Sequence, residues 1–354
     1  MKTSCPQKSL LAELPSPPPD KTGWPWTKES KLLPPMMPNG QPWPRISIVT
    51  PSYNQGQFIE ETIRSILLQN YPDTELIIID GGSTDNTLQV IKKYEKWIAY
   101  WISEKDDGQS HALNKGLKKT TGYLIGWQNS DDYYGIDSFS QCALIAAQNS
   151  DASIFHGTSY FMDDKGMCHA TLIKENFSIK ENPEPLTRFQ FSNQSMFFHR
   201  RIFDAGYFID EHYNHAMDGE FMTRLLIAGY KFRFIPGMTG ICRMHHEAKT
   251  AKRPYLGIIE NVDICLKIIK SDKTSPHIRK WALVSLREAL PPLFYSYKMG
   301  EFRKGLYSLV RFGGFRMLDV KFIVRYLVSF LGATFARSLY GVIDYFRKIT
   351  GASH

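Results

Sequence analysis

Two adjacent carboxylates, Asp131 and Asp132, follow a short apolar run, and this placement suits the binding of a hard divalent cation. The run spans residues 123–127, is aromatic and β-branched, and predicts a buried strand that ends just before the pair. In open α/β sheets, ligands bind beyond the carboxyl ends of the strands. Hard cations prefer carboxylate oxygens and share them with substrate phosphates. A lone Asp-Asp pair is more often a solvated turn, so the prediction depends on the neighbouring segments.

Polar residues also follow the three preceding strands of the predicted sheet. They are Thr50, Pro51, Tyr53 and Asn54 after the first strand, Asp80 after the second, and Asp106 and Gln109 after the third. Each of these turns alone is an ordinary connection from strand to helix. Because the strand ends share one edge, we expect the turns to line one crevice. There, Asp80 could accept hydrogen bonds from a base or ribose, and Tyr53 could stack on a ring.

The elements that would position these residues alternate between strand and helix. Apolar runs at residues 46–50, 75–80, 98–102 and 123–127 are separated by stretches with helical spacing. This alternation predicts an α/β fold with a doubly wound, mostly parallel sheet and right-handed crossovers. Residues 135–250 are predicted to continue the same sheet as mixed α+β structure, with strands at 153–156, 159–162 and 168–173. Residues 251–354 are predicted to be helical, with helices at 256–269, 277–297 and about 318–346. The Pro- and Trp-rich residues 1–44 predict an extended arm that lies against the globular body.

Composition and charge limit the class of protein. The chain has 354 residues, a formal net charge of +8 and a pI near 9.0, which suits an anionic partner such as a nucleotide-bearing substrate or an anionic membrane surface. Much of the basic excess lies after Lys267, which argues against a protein that reads a nucleic-acid sequence.

Five scattered cysteines without a CxxC pair indicate reduced thiols rather than a disulfide framework or a zinc site. With no secretory signal and no uncharged apolar run of ~20 residues, we predict a cytoplasmic protein.

Four linked motifs resemble those of a known enzyme family. No G-x-G-x-x-G turn follows the first strand and no G-x-x-x-x-G-K-[ST] loop is present, which argues against dinucleotide and P-loop proteins. Instead, residues 44–54 (PRISIVTPSYN), 79–87 (IDGGSTDNT), 108–116 (GQSHALNKG) and 129–132 (NSDD) together resemble the family-2 glycosyltransferases of the GT-A fold. The resemblance covers about residues 44–250 and is especially to enzymes of bacterial surface-polysaccharide assembly. It implies a catalytic domain at 45–250, with a nucleotide-sugar-binding half at 45–134 and an acceptor half at 135–250.

The resemblance also implies roles for single residues. The family's contacts with the nucleotide sugar fall on Thr50, Pro51, Tyr53, Asn54, Asp80, Asp106, Gln109, Asn129, Ser130, Asp131 and Gln194. Its site for Mg²⁺ or Mn²⁺ on the diphosphate falls on Asp131, Asp132 and His245. Two positions depart from the family pattern, because Gly81 and Asn129 stand where the family often has Asp. These departures leave the nucleotide preference open.

Asp218 stands at the position of the family's catalytic base. An acceptor hydroxyl must lose its proton as it attacks the anomeric carbon, from the side opposite the departing nucleotide. The residues alone also allow a purely structural role, in which Asp218 caps the helix predicted to begin there. Glu220 and Arg224 lie four residues apart on that helix and are predicted to pair.

The run from Arg316 to Lys348 interleaves apolar and aromatic residues with basic ones. Both a buried amphipathic helix and an interfacial helix on anionic lipid fit this pattern. Overall we expect an inverting, metal-dependent glycosyltransferase that moves a sugar from a nucleoside-diphosphate sugar to a glycan or lipid-linked glycan. A non-catalytic sugar-nucleotide or glycan-binding protein on the same scaffold is the alternative hypothesis. A sugar-nucleotide pyrophosphorylase fits less well, because it would need a Gly-rich phosphate loop after the first strand.

Overall fold

The computed structural model describes residues 9–163, 166, 168–170, 192–272, 274–334 and 336–337. The described residues fall into two compact units, the first ending at Ala248 and the second beginning at Lys249. The strand predicted over Cys168–Ile173 is described only as far as Ala170. Of the helix predicted over Leu318–Phe346, the part beyond Arg337 lies outside the described residues.

One mixed sheet organises the first unit. In chain order its strands are β1 (Ile46–Ser52), β2 (Thr74–Asp80), β3 (Tyr100–Ser103), β4 (Leu124–Trp127), β5 (Tyr133–Tyr134), β6 (Ile154–Met162), β7 (Cys168–Ala170), β8 (Met196–His199) and β9 (Phe232–Arg243). Their spatial order is β3-β2-β1-β4-β8-β6-β9-β5, with β7 paired to β6. Strands β1 to β4 are parallel, whereas β8 is antiparallel to both β4 and β6. The predicted sheet, parallel in its first half and mixed in its second, is therefore confirmed.

Helices cover both faces of the parallel half. The helices of the first unit are α1 (Ile59–Leu67), α2 (Thr87–Lys93), α3 (Gln109–Leu117), α4 (Ser138–Gln148), α5 (Arg201–Asp204) and α6 (Met217–Ile227). Along β2, Leu76 and Ile78 join the large core that includes α1, while Ile77 and Ile79 pack with Ala112 of α3. A strand buried on both faces needs apolar residues at every position, which explains the continuous run in β2.

The second half of the sheet differs from the predicted elements in two ways. The separate strands predicted at residues 153–156 and 159–162 form one strand, β6, whose pairing with β9 shifts register between His156 and Thr158. A Cβ at Gly157 would lie 2.1 Å from the carbonyl oxygen of Met238, so glycine permits this close approach. Strand β9 is absent from the sequence prediction because Pro236 and Gly237 interrupt its apolar pattern.

The arm before β1 is held to the first unit by a buried arginine. Arg64 of α1 is fully buried, and its guanidinium donates hydrogen bonds to the carbonyl oxygens of Pro15, Pro25 and Trp26. The same guanidinium donates to the hydroxyl of Tyr94 at 3.0 Å. Burial of this cation is tolerated because four protein acceptors replace the water that the guanidinium loses.

The second unit is helical over its described residues. Its helices are α7 (Lys249–Lys252), α8 (Pro254–Lys270), α9 (Pro276–Tyr295), α10 (Met299–Gly313) and α11 (Val320–Ser329). Leu286 and Leu290 of α9 and Phe302 of α10 are fully buried in their common core. The predicted helical C-terminal region is confirmed as far as Arg337, although α10 is not predicted from the sequence. Within the described part of the chain, no helix is both long and apolar enough to cross a membrane.

Candidate active site

The turn after β4 carries the paired carboxylates and starts from a firmly packed strand end. Trp127, the last residue of β4, is fully buried and stacks on Phe198 with ring centroids 5.1 Å apart. Its ring also contacts Phe221 of α6 at 5.9 Å. Beyond it, the backbone N–H of Asp132 donates to the carbonyl oxygen of Asn129 at 3.1 Å and closes the turn. The position of the turn thus follows from the packing of aromatic rings on β4, β8 and α6.

Asp132 is enclosed by the protein. Its Oδ2 accepts hydrogen bonds from the side-chain amides of Asn129 at 2.9 Å and Gln194 at 2.6 Å, and its Oδ1 accepts from the backbone N–H of Arg243 at 2.8 Å. Burial raises the pKa of this carboxyl above its ordinary value, and the charge of Asp131 raises it further, while the hydrogen bonds oppose the rise. Asp132 therefore ties the turn after β4 to β9 and to the turn that precedes β8.

Asp131 meets His245 instead. Its side chain keeps 19% exposure, and its Oδ2 lies 3.1 Å from Nε2 of His245. The ring of Phe58 packs against His245 with centroids 4.8 Å apart and also lies under the guanidinium of Arg243 at 4.6 Å. That guanidinium pairs with Glu61 of α1 at 2.7 Å. These contacts hold the end of β9, and with it His245, against the turn after β4.

The pair Asp131 and His245 fits a divalent cation as two ligands. Two neighbouring ligands of an octahedral ion at ~2.1 Å lie about 3.0 Å apart, close to the separation seen here. One carboxylate and one imidazole leave the other positions to phosphate oxygens and water, which suits Mn²⁺ or Mg²⁺. In the part of the chain that the structure describes, no three His, Cys, Asp or Glu side chains are grouped so that they could hold a metal. Asp132 thus does not join the other two in one ligand set, and the metal site stays a prediction.

Asn129 links the enclosed carboxylate to α3. Its Nδ2 donates to Asp132, and its Oδ1 accepts from Nε2 of Gln109 at 2.7 Å. An aspartate at position 129 could not donate to Asp132 and would bring a third carboxylate into the turn. The departure from the family pattern at this position therefore has a local structural reason.

The turn after β2 buries its own aspartate. Asp80 is fully buried and accepts hydrogen bonds from the backbone N–H groups of Gly82 and Ser83 at 3.1 Å and 2.9 Å. It also accepts from the hydroxyls of Ser83 and Ser103, the latter at 2.6 Å. With four donors and no exposed surface, Asp80 supports the turn from within. The contact with a base or ribose expected from the sequence would need this arrangement to open.

A different carboxylate lies beside the next residue, Gly81. A Cβ at this glycine would lie 2.7 Å from Oδ2 of Asp106, so a larger side chain would displace that carboxylate. Asp106 is partly buried, and its Oδ1 accepts the backbone N–H of Gly108 at 2.9 Å. The space that a side chain at position 81 would fill is thus taken by a carboxylate from the loop after β3.

The remaining residues predicted for the crevice lie near these turns. Thr50 and Pro51 are in β1, and the side chain of Tyr53 is 60% exposed just beyond it. Asn54 has a φ of 52°, and its Oδ1 accepts the backbone N–H of Thr84 at 2.8 Å, which joins the turns after β1 and β2. Ser130 and Gln194 are both buried. The structure thus gathers the predicted residues along one edge of the sheet, although several of them bond to one another.

Asp218 lies in the first turn of α6. The residue at the N-cap of this helix is Ala216, so Asp218 is not the cap, and its Oδ1 instead accepts the backbone N–H of Gly219 at 2.8 Å. The start of α6 contacts the start of α3, because Oγ of Ser110 lies 3.0 Å from Sδ of Met217. Ser110 follows Gln109, which bonds to Asn129, and this brings the start of α6 close to the turn after β4. The predicted pair of Glu220 and Arg224 is confirmed, with contacts of 2.9 Å.

Cys242 is a site residue that sequence reasoning missed. Burial raises the pKa of its thiol, and the charges of Asp132, Asp131 and Asp218 act in the same direction. All three carboxylates thus lie within electrostatic range of one thiol. No spacing signal marks Cys242, because its place depends on β9, and β9 was not predicted.

Known proteins resemble this chain in sequence and in fold. The sequence model of the family described as Glycosyl transferase family 2 matches residues 47–208. TuaG of Bacillus subtilis (strain 168), whose name gives it a glycosyltransferase role in teichuronic acid biosynthesis, is 35% identical over 124 residues. The match covers 34% of this chain and 49% of TuaG, so the chain spans about half the length of that relative.

Solved structures share the fold at low sequence identity. S. aureus TarS 1–349 in complex with UDP-GlcNAc has a TM-score of 0.58 and 16% identity, over 80% of this chain and 79% of its own. The mannosyltransferase PcManGT from Pyrobaculum calidifontis, in complex with GDP-Man and Mn²⁺, has a TM-score of 0.52 and 17% identity, over 90% and 91%. Residues 47–208 therefore resemble glycosyl transferase family 2 in sequence, and the likeness to the solved structures shows that the chain has a GT-A fold.

Proposed function

We propose that this protein is an inverting glycosyltransferase that acts in the assembly of a surface polysaccharide. It would move one sugar from a nucleoside-diphosphate sugar to a hydroxyl of a glycan or lipid-linked glycan. The observation that carries this proposal is the meeting of Asp131 with His245 beyond the end of β4, with Asp218 near the same turn. The match of residues 47–208 to the family model supports the reaction class, and the name of TuaG supports the polysaccharide context.

The donor side of the reaction would depend on the turn after β4. Asp131 and His245 would hold a Mn²⁺ or Mg²⁺ ion, which when bound offsets the charge that builds on the leaving diphosphate. Asp132 would act indirectly, because its hydrogen bonds to Gln194 and to the backbone of Arg243 keep the turn and β9 together. Tyr53, with its exposed ring, would stack on the base.

The acceptor side would depend on Asp218. Its carboxylate would accept the proton of the attacking hydroxyl, and the new bond would form on the side of the sugar opposite the leaving nucleotide. A single displacement of this kind inverts the anomeric carbon. A protein that only binds nucleotide sugars has no use for a base at this position, and this distinguishes the two hypotheses.

A screen of donor sugars tests the proposal. The purified chain is incubated with UDP- and GDP-sugars, the nucleotides seen with TarS and PcManGT, and release of nucleoside diphosphate is measured with Mn²⁺ and with EDTA. We expect one donor to be cleaved with Mn²⁺ and cleavage to stop in EDTA. Asp151→Asn, which removes an exposed carboxylate paired with Lys231, is the matched control and should retain activity. Binding of a nucleotide sugar without any cleavage would support the non-catalytic alternative.

A further inference from the structure

Helix α11 of the second unit exposes a face of aliphatic side chains. Its members, here called the apolar stripe, are Val320, Ile323, Val324 and Leu327, which are 74%, 51%, 46% and 61% exposed. With about 3.6 residues per turn, these positions share one face of the helix. Phe322 and Val328, which lie off this face, are only 2% and 7% exposed. The helix is thus anchored in its unit by other side chains, while the apolar stripe faces outward.

Exposed apolar residues continue on both sides of α11. Phe315, before the helix, is 79% exposed, and Phe330 and Leu331, after it, are 61% and 58% exposed. Single apolar side chains at a protein surface need no explanation. Eight exposed large hydrophobic side chains lie between Phe315 and Leu331, namely these seven and Tyr326, which is 39% exposed. Such a concentration, here called the patch, is the kind of surface that marks an interaction site.

The surroundings of the apolar stripe are basic. Residues 311–337 include five basic residues and a single acidic one, Asp319. That carboxylate accepts the backbone N–H of Phe322 at 3.0 Å and pairs with Arg287 at 3.1 Å, so its charge is matched within the unit. Arg316 and Lys321, at the start of the patch, are exposed. The patch therefore combines outward aliphatic side chains with exposed cations.

This combination identifies the chemistry of the partner. An acidic protein would attract the cations, but it would also need an apolar groove shaped to the stripe. An anionic bilayer offers phosphates at its surface and acyl chains just below, and it accepts aliphatic side chains of any shape. The ten residues of α11 are about 15 Å long, half of the ~30 Å hydrocarbon core, so the helix would lie along the surface. We propose that α11 docks this protein on an anionic lipid bilayer, with the apolar stripe among the acyl chains and Arg316 and Lys321 at the phosphates.

Vesicle binding of the full chain tests this proposal. Co-sedimentation is measured with vesicles of phosphatidylcholine alone and of phosphatidylcholine mixed with phosphatidylglycerol. We expect binding to the mixed vesicles that weakens with salt, and a loss of about tenfold or more in the variant Ile323→Asp with Leu327→Asp. Lys321→Glu, which spares the fold because the side chain is exposed, should weaken binding several-fold, since each basic residue contributes about fivefold. Tyr307→Asp on α10, where the side chain is 65% exposed, is the matched control and should bind like the parent.

Several outcomes would overturn the docking proposal. One is that the parent chain does not bind the mixed vesicles. Another is that the variant Ile323→Asp with Leu327→Asp, here called the stripe variant, binds them as well as the parent does. A parent that is dimeric by light scattering, with a monomeric stripe variant and no lipid binding, would assign the patch to a second copy of the chain. Donor cleavage is measured on the same samples. A lack of cleavage would count against the proposed function and not against lipid docking.

Discussion

The turns after β2 and β4 each contain a buried aspartate, and the residue next to that aspartate differs between the two turns. After β4, Asp132 is enclosed by three hydrogen bonds, while its neighbour Asp131 meets His245. After β2, Asp80 is enclosed by four donors, and its neighbour is Gly81. The two turns therefore bury one carboxylate in the same way and differ in what stands beside it.

The difference lies in the origin of the second carboxylate. At β4 it is the adjacent residue of the same turn. At β2 it is Asp106, which comes from the loop after β3 and occupies the space beside Gly81. The comparison teaches that an aspartate at a strand end has two separable uses. A buried one organises the turn through backbone and amide donors, and a more exposed one is the one that we propose acts on a ligand.

The largest effect is expected outside the two turns, at Asp218, and it gives the scale for the others. Asp218→Asn should reduce transfer by ~10²–10⁴-fold, because it removes the proton acceptor while keeping the size of the side chain. Donor affinity should remain close to that of the parent. Turnover and nucleotide-sugar affinity are measured on the same preparation. Turnover within a few-fold of the parent would reduce Asp218 to a structural residue of α6.

Replacing each aspartate of the turn after β4 separately should separate their two roles. Asp131→Asn should lower metal-dependent transfer by ~10²-fold and leave the unfolding temperature nearly unchanged, because this side chain contacts His245 at a partly exposed site. Asp132→Asn should instead lower the free energy of unfolding by roughly 1–3 kcal/mol, because its amide group cannot accept from all three donors. Activity and chemical denaturation are compared for both variants. Equal profiles for the two would contradict the division of roles.

At β2, a carboxylate can be placed at position 81 instead of at position 106. Gly81→Asp should weaken nucleotide binding by about tenfold, because the new side chain meets Asp106 with like charge. Combining it with Asp106→Ala should restore much of the affinity, since one carboxylate again occupies the space. Uracil and guanine carry a ring N–H that a carboxylate can accept, whereas adenine offers only its exocyclic amino group, so we expect the parent to prefer UDP and GDP over ADP. Calorimetry with UDP, GDP and ADP measures both the affinity of each variant and its base preference. A double variant that binds nucleotide more weakly than either single variant would contradict the idea that one carboxylate can replace the other.

The smallest effect on function is expected at Asp80. Asp80→Asn should cost roughly 1–3 kcal/mol of unfolding free energy, because an amide cannot accept from all the donors around it. The order of affinities for UDP, GDP and ADP should stay as in the parent, because the residue has no exposed surface. Denaturation and the same calorimetric series test this. A changed base preference in a stable variant would mean that Asp80 itself reaches the nucleotide.

The parallel half of the fold and the neighbourhood of the site follow from the sequence alone. The continuous apolar run of β2 requires burial on both faces, and its alternation with helical stretches leads to parallel strands. The carboxyl ends of such strands share one edge, so residues that follow them are brought together whatever the details of the loops. This is why Tyr53, Asp80, Asp106 and Asp131 are predicted in one region and found there.

The tertiary structure alone decides which of these carboxylates is buried and which is left for a ligand. Gln194 and the backbone of Arg243 enclose Asp132 from 62 and 111 residues away along the chain. Asp106 reaches the space beside Gly81 from a different loop, and Cys242 arrives on a strand interrupted by Pro236 and Gly237. A local sequence pattern predicts the conformation of only the few residues within one turn. The solvation of a carboxylate depends on donors from every element that packs around it, so its role is settled only when the chain is folded.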